Sequence, residues 1–80
     1  MRVLLFGPLR DLAGWRERLV EPPASRLGEL VERLSLEDPR LGEALKGPGV
    51  QVAVDQAIVR GDPGLGAGCE VAFLPPMSGG

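Results

Sequence analysis

The 80-residue sequence has no histidine, no tyrosine and one cysteine. Histidine is the commonest general base and tyrosine a frequent proton donor, so the usual acid–base pairings are missing. One cysteine without histidine cannot assemble the nitrogen and sulfur ligands of a zinc site within one chain, and no metal site is expected. The same cysteine, Cys69, has no partner for a disulfide, which favours a reducing, cytoplasmic setting. Long apolar runs are also lacking. Val3-Leu4-Leu5-Phe6 is closed by Gly7-Pro8, too short for a signal-peptide core or a membrane span. Basic residues form no cluster: nine Lys and Arg are scattered among eleven Asp and Glu, for a net charge of −2. Nucleic-acid binding needs a cationic face, so that class is set aside. A chain this short builds one thin core and has little room to enclose a ligand cavity as well.

What is present is a pattern of short strands around one good helix. Val3–Phe6 is an unbroken apolar run of strand length, as expected for a strand buried on both faces. Residues 9–14 can form a helical turn, and Trp15–Glu21 mixes apolar and charged residues like a strand nearer an edge. Pro22-Pro23 breaks the chain, and Ser25 is the expected N-cap of the main helix. Leu27, Leu30, Val31 and Leu34 lie on one stripe of that helix, and Glu29 sits four residues before Arg33 in the favourable order. Gly28 is expected to mark a close approach to the sheet. Residues 36–45, interrupted by Pro39 and Gly42, form a poorer helical stretch. Val50, Val52 and Val54 alternate with more polar neighbours as a third strand, and Asp55-Gln56 turns into Ala57-Ile58-Val59. Residues 61–68 are a loop, and Val71–Leu74 is the last strand, stopped by Pro75-Pro76. The expected fold is α+β: a mixed sheet of four to five strands with one main helix across one face. The most apolar strands, the first and the last, belong at its centre, side by side and parallel. Residues 1–74 make a single domain and residues 75–80 an extended tail.

The glycine-rich loop at 64–68 lacks the Lys-Ser/Thr ending of a phosphate loop and precedes a strand, so it is read as a turn. Cys69 has no cationic neighbour in sequence to lower its pKa and is read as a packing residue. Glu37-Asp38 suits a helix start, where acids are favoured. The chemistry that remains is the tail, Pro75-Pro76-Met77-Ser78-Gly79-Gly80. The two prolines favour an extended path, and the four residues beyond them can reach roughly 13 Å. Gly79 and Gly80 lack side chains, so their backbone can thread a narrow channel. The group delivered is the Gly80 carboxylate. It is a poor electrophile until a nucleotide-binding partner adenylates it, after which a sulfur nucleophile can convert it to a thiocarboxylate.

The opening Val3–Gly14, the stretch Val52-Ala53-Val54-Asp55-Gln56, and above all Glu70-Val71-Ala72-Phe73-Leu74-Pro75-Pro76-Met77-Ser78-Gly79-Gly80 resemble the small subunits of molybdopterin synthase. Those proteins are sulfur carriers of the ubiquitin-like β-grasp fold. Two turn positions depart from that pattern: Asp55 stands where Asn is usual and Cys69 where Asp is usual. The resemblance implies that Gly80, with Gly79 before it, is adenylated by an ATP-dependent E1-like enzyme and receives sulfur from a donor protein. It implies that the thiocarboxylate then donates sulfur to cyclic pyranopterin monophosphate in molybdenum cofactor biosynthesis, inside a heterotetramer with the large synthase subunit. The chain itself would bind no cofactor, ATP being used by the activating partner, and would not be catalytic alone. Phe73, Pro75, Pro76, Met77, Ser78 and the adjoining sheet face are candidates for partner contact, Phe73 having an equal claim to the core. The alternatives are a sulfur carrier for thiazole, tRNA thiolation or cysteine synthesis, a ubiquitin-like protein modifier, or a docking module with an inert tail.

Overall fold

The computed structural model describes residues 1–76. Five strands and three helices follow in the order β1 (Arg2–Leu5), α1 (Pro8–Ala13), β2 (Glu17–Leu19), α2 (Leu27–Glu37), α3 (Pro39–Leu45), β3 (Gln51–Val54), β4 (Ala57–Val59) and β5 (Glu70–Leu74). The strands form one sheet in the order β2-β1-β5-β3-β4. β1 and β5 run parallel, with Val3 opposite Val71 and Leu5 opposite Phe73, while the other three pairings are antiparallel. The first and last strands therefore meet near the middle of the sheet, as their apolar composition leads one to expect.

Side chains alternate across a strand, and this alternation divides the sheet into two unlike faces. Val3, Leu5, Val71 and Phe73 are fully buried and form one core with Leu27, Leu30, Leu34, Leu41 and Leu45 of the helices. The other face carries a row that crosses four strands by register: Leu4, Ala72, Ala53 and Ile58. The helical stripe thus selects which set of alternating residues becomes core.

α2 starts one residue later than its composition suggests. Its N-cap is Arg26, whose side chain makes no capping bond. The Ser25 hydroxyl instead donates to Glu29 (2.9 Å), and Glu29 also accepts from Arg33 at 2.9 Å. The capping oxygen comes from far along the chain. Asp62 accepts the Gly28 amide at 2.6 Å and pairs with Arg26 at 2.9 Å. Two main-chain bonds, Leu27 N–H to Pro63 (3.0 Å) and Leu65 N–H to Ser25 (2.9 Å), fasten the same loop. Gly28 accordingly approaches Asp62 and Arg26, not the sheet.

The stretch expected to be a poor helix resolves into the end of α2 and a regular α3. Asp38 separates them and caps α3 by accepting from Leu41 N–H at 3.2 Å. Gly42 is the point of closest approach: a Cβ there would stand 2.6 Å from Ser35 Cα. Strand β2 is shorter than the 15–21 span. Trp15 lies outside it and takes the Arg18 guanidinium over its ring at 4.4 Å, and Arg18 also pairs with Glu37 of α2. Asp55 and Gln56 have φ of 49° and 70°, the left-handed pair that a two-residue hairpin turn demands. Asp55 offsets that strain by tying the turn to β5: its carboxylate accepts Glu70 N–H at 3.0 Å, and its own N–H donates to Glu70 C=O at 2.9 Å.

Candidate functional site

Strand β5 carries the chain from the middle of the sheet to Pro75 and Pro76, and two glycines shape this exit. Gly7 has φ 55° and a Cβ placed on it would stand 3.1 Å from Pro75 Cγ. Gly49 has φ 83°, and a Cβ there would stand 2.7 Å from Pro76 Cβ. Both positions are in the left-handed region that glycine tolerates at no steric cost. Each proline therefore packs against a glycine: a side chain at Gly49 would collide with Pro76, and one at Gly7 would press tightly on Pro75. From sequence, Gly7-Pro8 reads only as a strand stop. Its second role, seating a residue 68 positions later, is invisible without the parallel β1–β5 pairing.

Pro75 is half-buried and Pro76 exposed, so the described chain ends at the surface of the fold. Met77, Ser78, Gly79 and Gly80, four of the residues singled out from sequence, lie outside the described residues. Phe73 is wholly buried. Of its two expected roles it takes the core one, because the parallel register puts it beside Leu5, over the helices. Its candidacy for partner contact is corrected accordingly. The apolar surface open to a partner is the opposite face, with Leu4 and Leu74 half-buried and Ile58 half exposed. Phe6, 42% exposed, lies where β1 ends, near the tail exit. Charge gathers at the other end of this face, where Arg2 pairs with Glu70 at 2.6 Å and with Glu17 at 3.5 Å.

Cys69 is buried, and its thiol is pushed up by that burial and by the neighbouring Asp55 carboxylate. Its main-chain oxygen accepts the Arg2 amide at 3.2 Å, a place in the ladder and not in a reaction. Among the described residues no group of three His, Cys, Asp or Glu side chains is placed to hold a metal ion. No helix among them is long and apolar enough to cross a membrane.

A five-stranded mixed sheet with β1 and β5 parallel at its heart, helices on one face, and a proline-seated C-terminal exit defines a ubiquitin-like β-grasp protein. Within that class the chain belongs to the ThiS family, whose model matches residues 3–80. It is 37% identical to the molybdopterin synthase sulfur carrier subunit of Mycobacterium tuberculosis, over 100% of this chain and 96% of that protein. With the corresponding subunit of Escherichia coli it shares 32% identity, over 100% of this chain and 99% of that protein. The crystal structure of SAMP1 from Haloferax volcanii superposes with a TM-score of 0.77 at 26% identity, covering 99% of this chain and 97% of that one.

Proposed function

We propose that this chain is the sulfur carrier subunit of molybdopterin synthase, with the Gly80 carboxylate as the group that is activated and thiolated. The observation that carries the reading is the seating of Pro75 and Pro76 against Gly7 and Gly49 at the end of a central strand. That arrangement fixes the place of the chain up to Pro76, the last described residue. The similarity to two sulfur carrier subunits over the whole chain supports the choice of pathway.

In the proposed sequence an E1-like partner binds ATP, and the Gly80 carboxylate oxygen attacks the α-phosphorus with loss of pyrophosphate. Hydrosulfide released by a donor protein then attacks the acyl carbon and AMP leaves, giving the thiocarboxylate. The sulfur is finally delivered to cyclic pyranopterin monophosphate within a complex with the large synthase subunit. The fold contributes a rigid handle and an apolar docking face, Leu4, Leu74 and Ile58 with Phe6 beside them, next to the exit. Contact residues on the tail are Pro75, Pro76, Met77 and Ser78, with Gly79 passing through the narrowest part of the partner's channel. The chain binds no cofactor of its own and works in the cytoplasm.

The test is mass spectrometry of the protein incubated with ATP, the activating enzyme and a sulfur donor. The expected result is a mass gain equal to one oxygen exchanged for sulfur, confined to the terminal peptide. Deleting Gly79 and Gly80 should abolish both this gain and cofactor synthesis while leaving the fold unchanged. Persistence of cofactor synthesis in the deletion overturns the reading.

The likeness to SAMP1, a small archaeal modifier protein, favours a second reading in which Gly80 is joined to lysines of other proteins. Lys46 is the only lysine of this chain, which leaves little basis for polymeric chains. High-mass conjugates on immunoblots, lost when Gly79 and Gly80 are removed, would support it.

A further inference from the structure

β4 is an edge of the sheet: it pairs with β3 and has no outer neighbour among the described residues. Along an antiparallel strand, residues alternate between those bonded to the partner and those whose N–H and C=O point away, and on an edge the latter are open to another strand. Beside this edge, on the helix side, lies an open cleft of about 370 Å³. Val31 of α2, Leu45 of α3, and Val52 and Val59 of the sheet give it an apolar lining. Lys46 and Arg60, both exposed, also line it. Neither has an acidic partner within ion-pair distance among the described residues, whereas five of the other seven basic side chains do. In a chain of net charge −2, two unengaged cations beside an apolar cleft form a local exception. They also have a definite place. Val59 pairs with Val52, so Arg60 follows at the end of the sheet where β5 leads to Pro75.

We propose that the β4 edge and its cleft take an extended segment of a partner protein, apolar along its length and acidic at one end. The segment adds a strand to β4, so main-chain hydrogen bonds hold it irrespective of sequence. Its alternate side chains then fall on opposite faces: one set enters the cleft over Val52 and Val59, the other lies beside Ile58. Its acidic end meets Lys46 and Arg60, which fixes register and orientation. This surface meets the apolar row of the open face at Ile58 and lies toward the end of the sheet where β5 leads to Pro75, and it does not depend on the chemistry assigned to Gly80.

The probe is a synthetic acetylated, amidated peptide, Val-Ile-Val-Asp-Glu, titrated into the isotope-labelled full-length protein and followed by amide chemical shifts. The expected result is saturable shifts concentrated in residues 57–60 and around Lys46, weakened by salt. A Val-Ile-Val-Lys-Lys peptide should bind far less. The double variant K46E/R60E changes two exposed side chains, so it keeps the fold, as its spectrum will show; it should bind the acidic peptide about tenfold more weakly. Absence of shifts at millimolar peptide overturns the proposal, as do shifts confined to the β2 edge or equal binding of the lysine-ended peptide. If deleting residues 77–80 raises affinity tenfold, the cleft belongs to the chain's own tail and the partner assignment fails. It fails equally if sedimentation shows a dimer that I58K dissolves, since the occupant is then a second copy.

Discussion

Pro76 lies against Gly49 so closely that a methyl group on the glycine would stand 2.7 Å from the proline's Cβ. Gly49 also has φ 83°, which costs an L-residue roughly 1–2 kcal/mol. Gly49→Ala should therefore lower stability by at least about that amount and push Pro76 off its seat. The expected outcome is a lower unfolding midpoint in denaturant together with slower thiocarboxylation of Gly80. Gly61→Ala is the informative control, because Gly61 has φ 76° but nothing within 4 Å of its missing side chain. It should show the stability loss without the effect on the tail.

Phe73 is the largest of the fully buried side chains. Phe73→Ala should cost about 3–5 kcal/mol, the range for removing a buried aromatic. In so small a domain that loss is comparable to the whole stability. Circular dichroism and urea unfolding should show a largely unfolded protein, and any loss of carrier activity should follow unfolding and not a lost contact.

The loop at 61–65 is held to α2 through an ionised carboxylate. The Gly28 amide, then Arg26, hold the Asp62 carboxyl below its usual value. Glu29 is lowered likewise, first by the Ser25 hydroxyl and amide and then by Arg33. Groups with lowered folded values stabilise fully above their unfolded values, about 3.9 for Asp and 4.3 for Glu. They lose that contribution as pH falls through the lower folded values. Stability measured by urea titration should therefore decline below about pH 4. Asp62→Asn should be less stable at pH 7 and show a shallower decline in acid.

Cys69 is buried with its thiol raised by burial and by Asp55. A thiol reagent should modify the folded protein slowly and the urea-unfolded protein at once. Cys69→Ala should leave thiocarboxylation of the terminus intact, which places the sulfur chemistry outside this side chain.

Much of the fold was legible because apolar composition marks the strands that carry the core, although β1 is fully buried on its helix face alone, with Leu4 half-buried and Phe6 exposed. The runs at Val3–Phe6 and Val71–Leu74 locate two of the three inner strands, and Leu27, Leu30 and Leu34 locate the helix that covers them. The features that sequence left obscure all depend on partners distant in the chain. Ser25 has the chemistry of a cap, but Asp62, 34 positions beyond Gly28, occupies that role. Phe73 could not be assigned to core or contact until the register set it beside Leu5. Gly7 reads from sequence only as a strand stop and Gly49 carries no signal at all, since what they accommodate is brought to them only by the closed sheet. The expectations for Met77, Ser78, Gly79 and Gly80 lie outside the described residues and rest on the chemistry of the terminus.

Because β5 lies between β1 and β3, the sheet cannot close until the last strand has been synthesised. A polypeptide halted anywhere before Leu74 would have β1 and β3 with nothing between them, and long-range pairing of this kind forms late. Incomplete translation products would therefore be unfolded and open to proteolysis, with their accidental C-termini carried on no stable body. On the proposed function, an activating enzyme that recognised the folded body would therefore sample only chains in which β5 is in place.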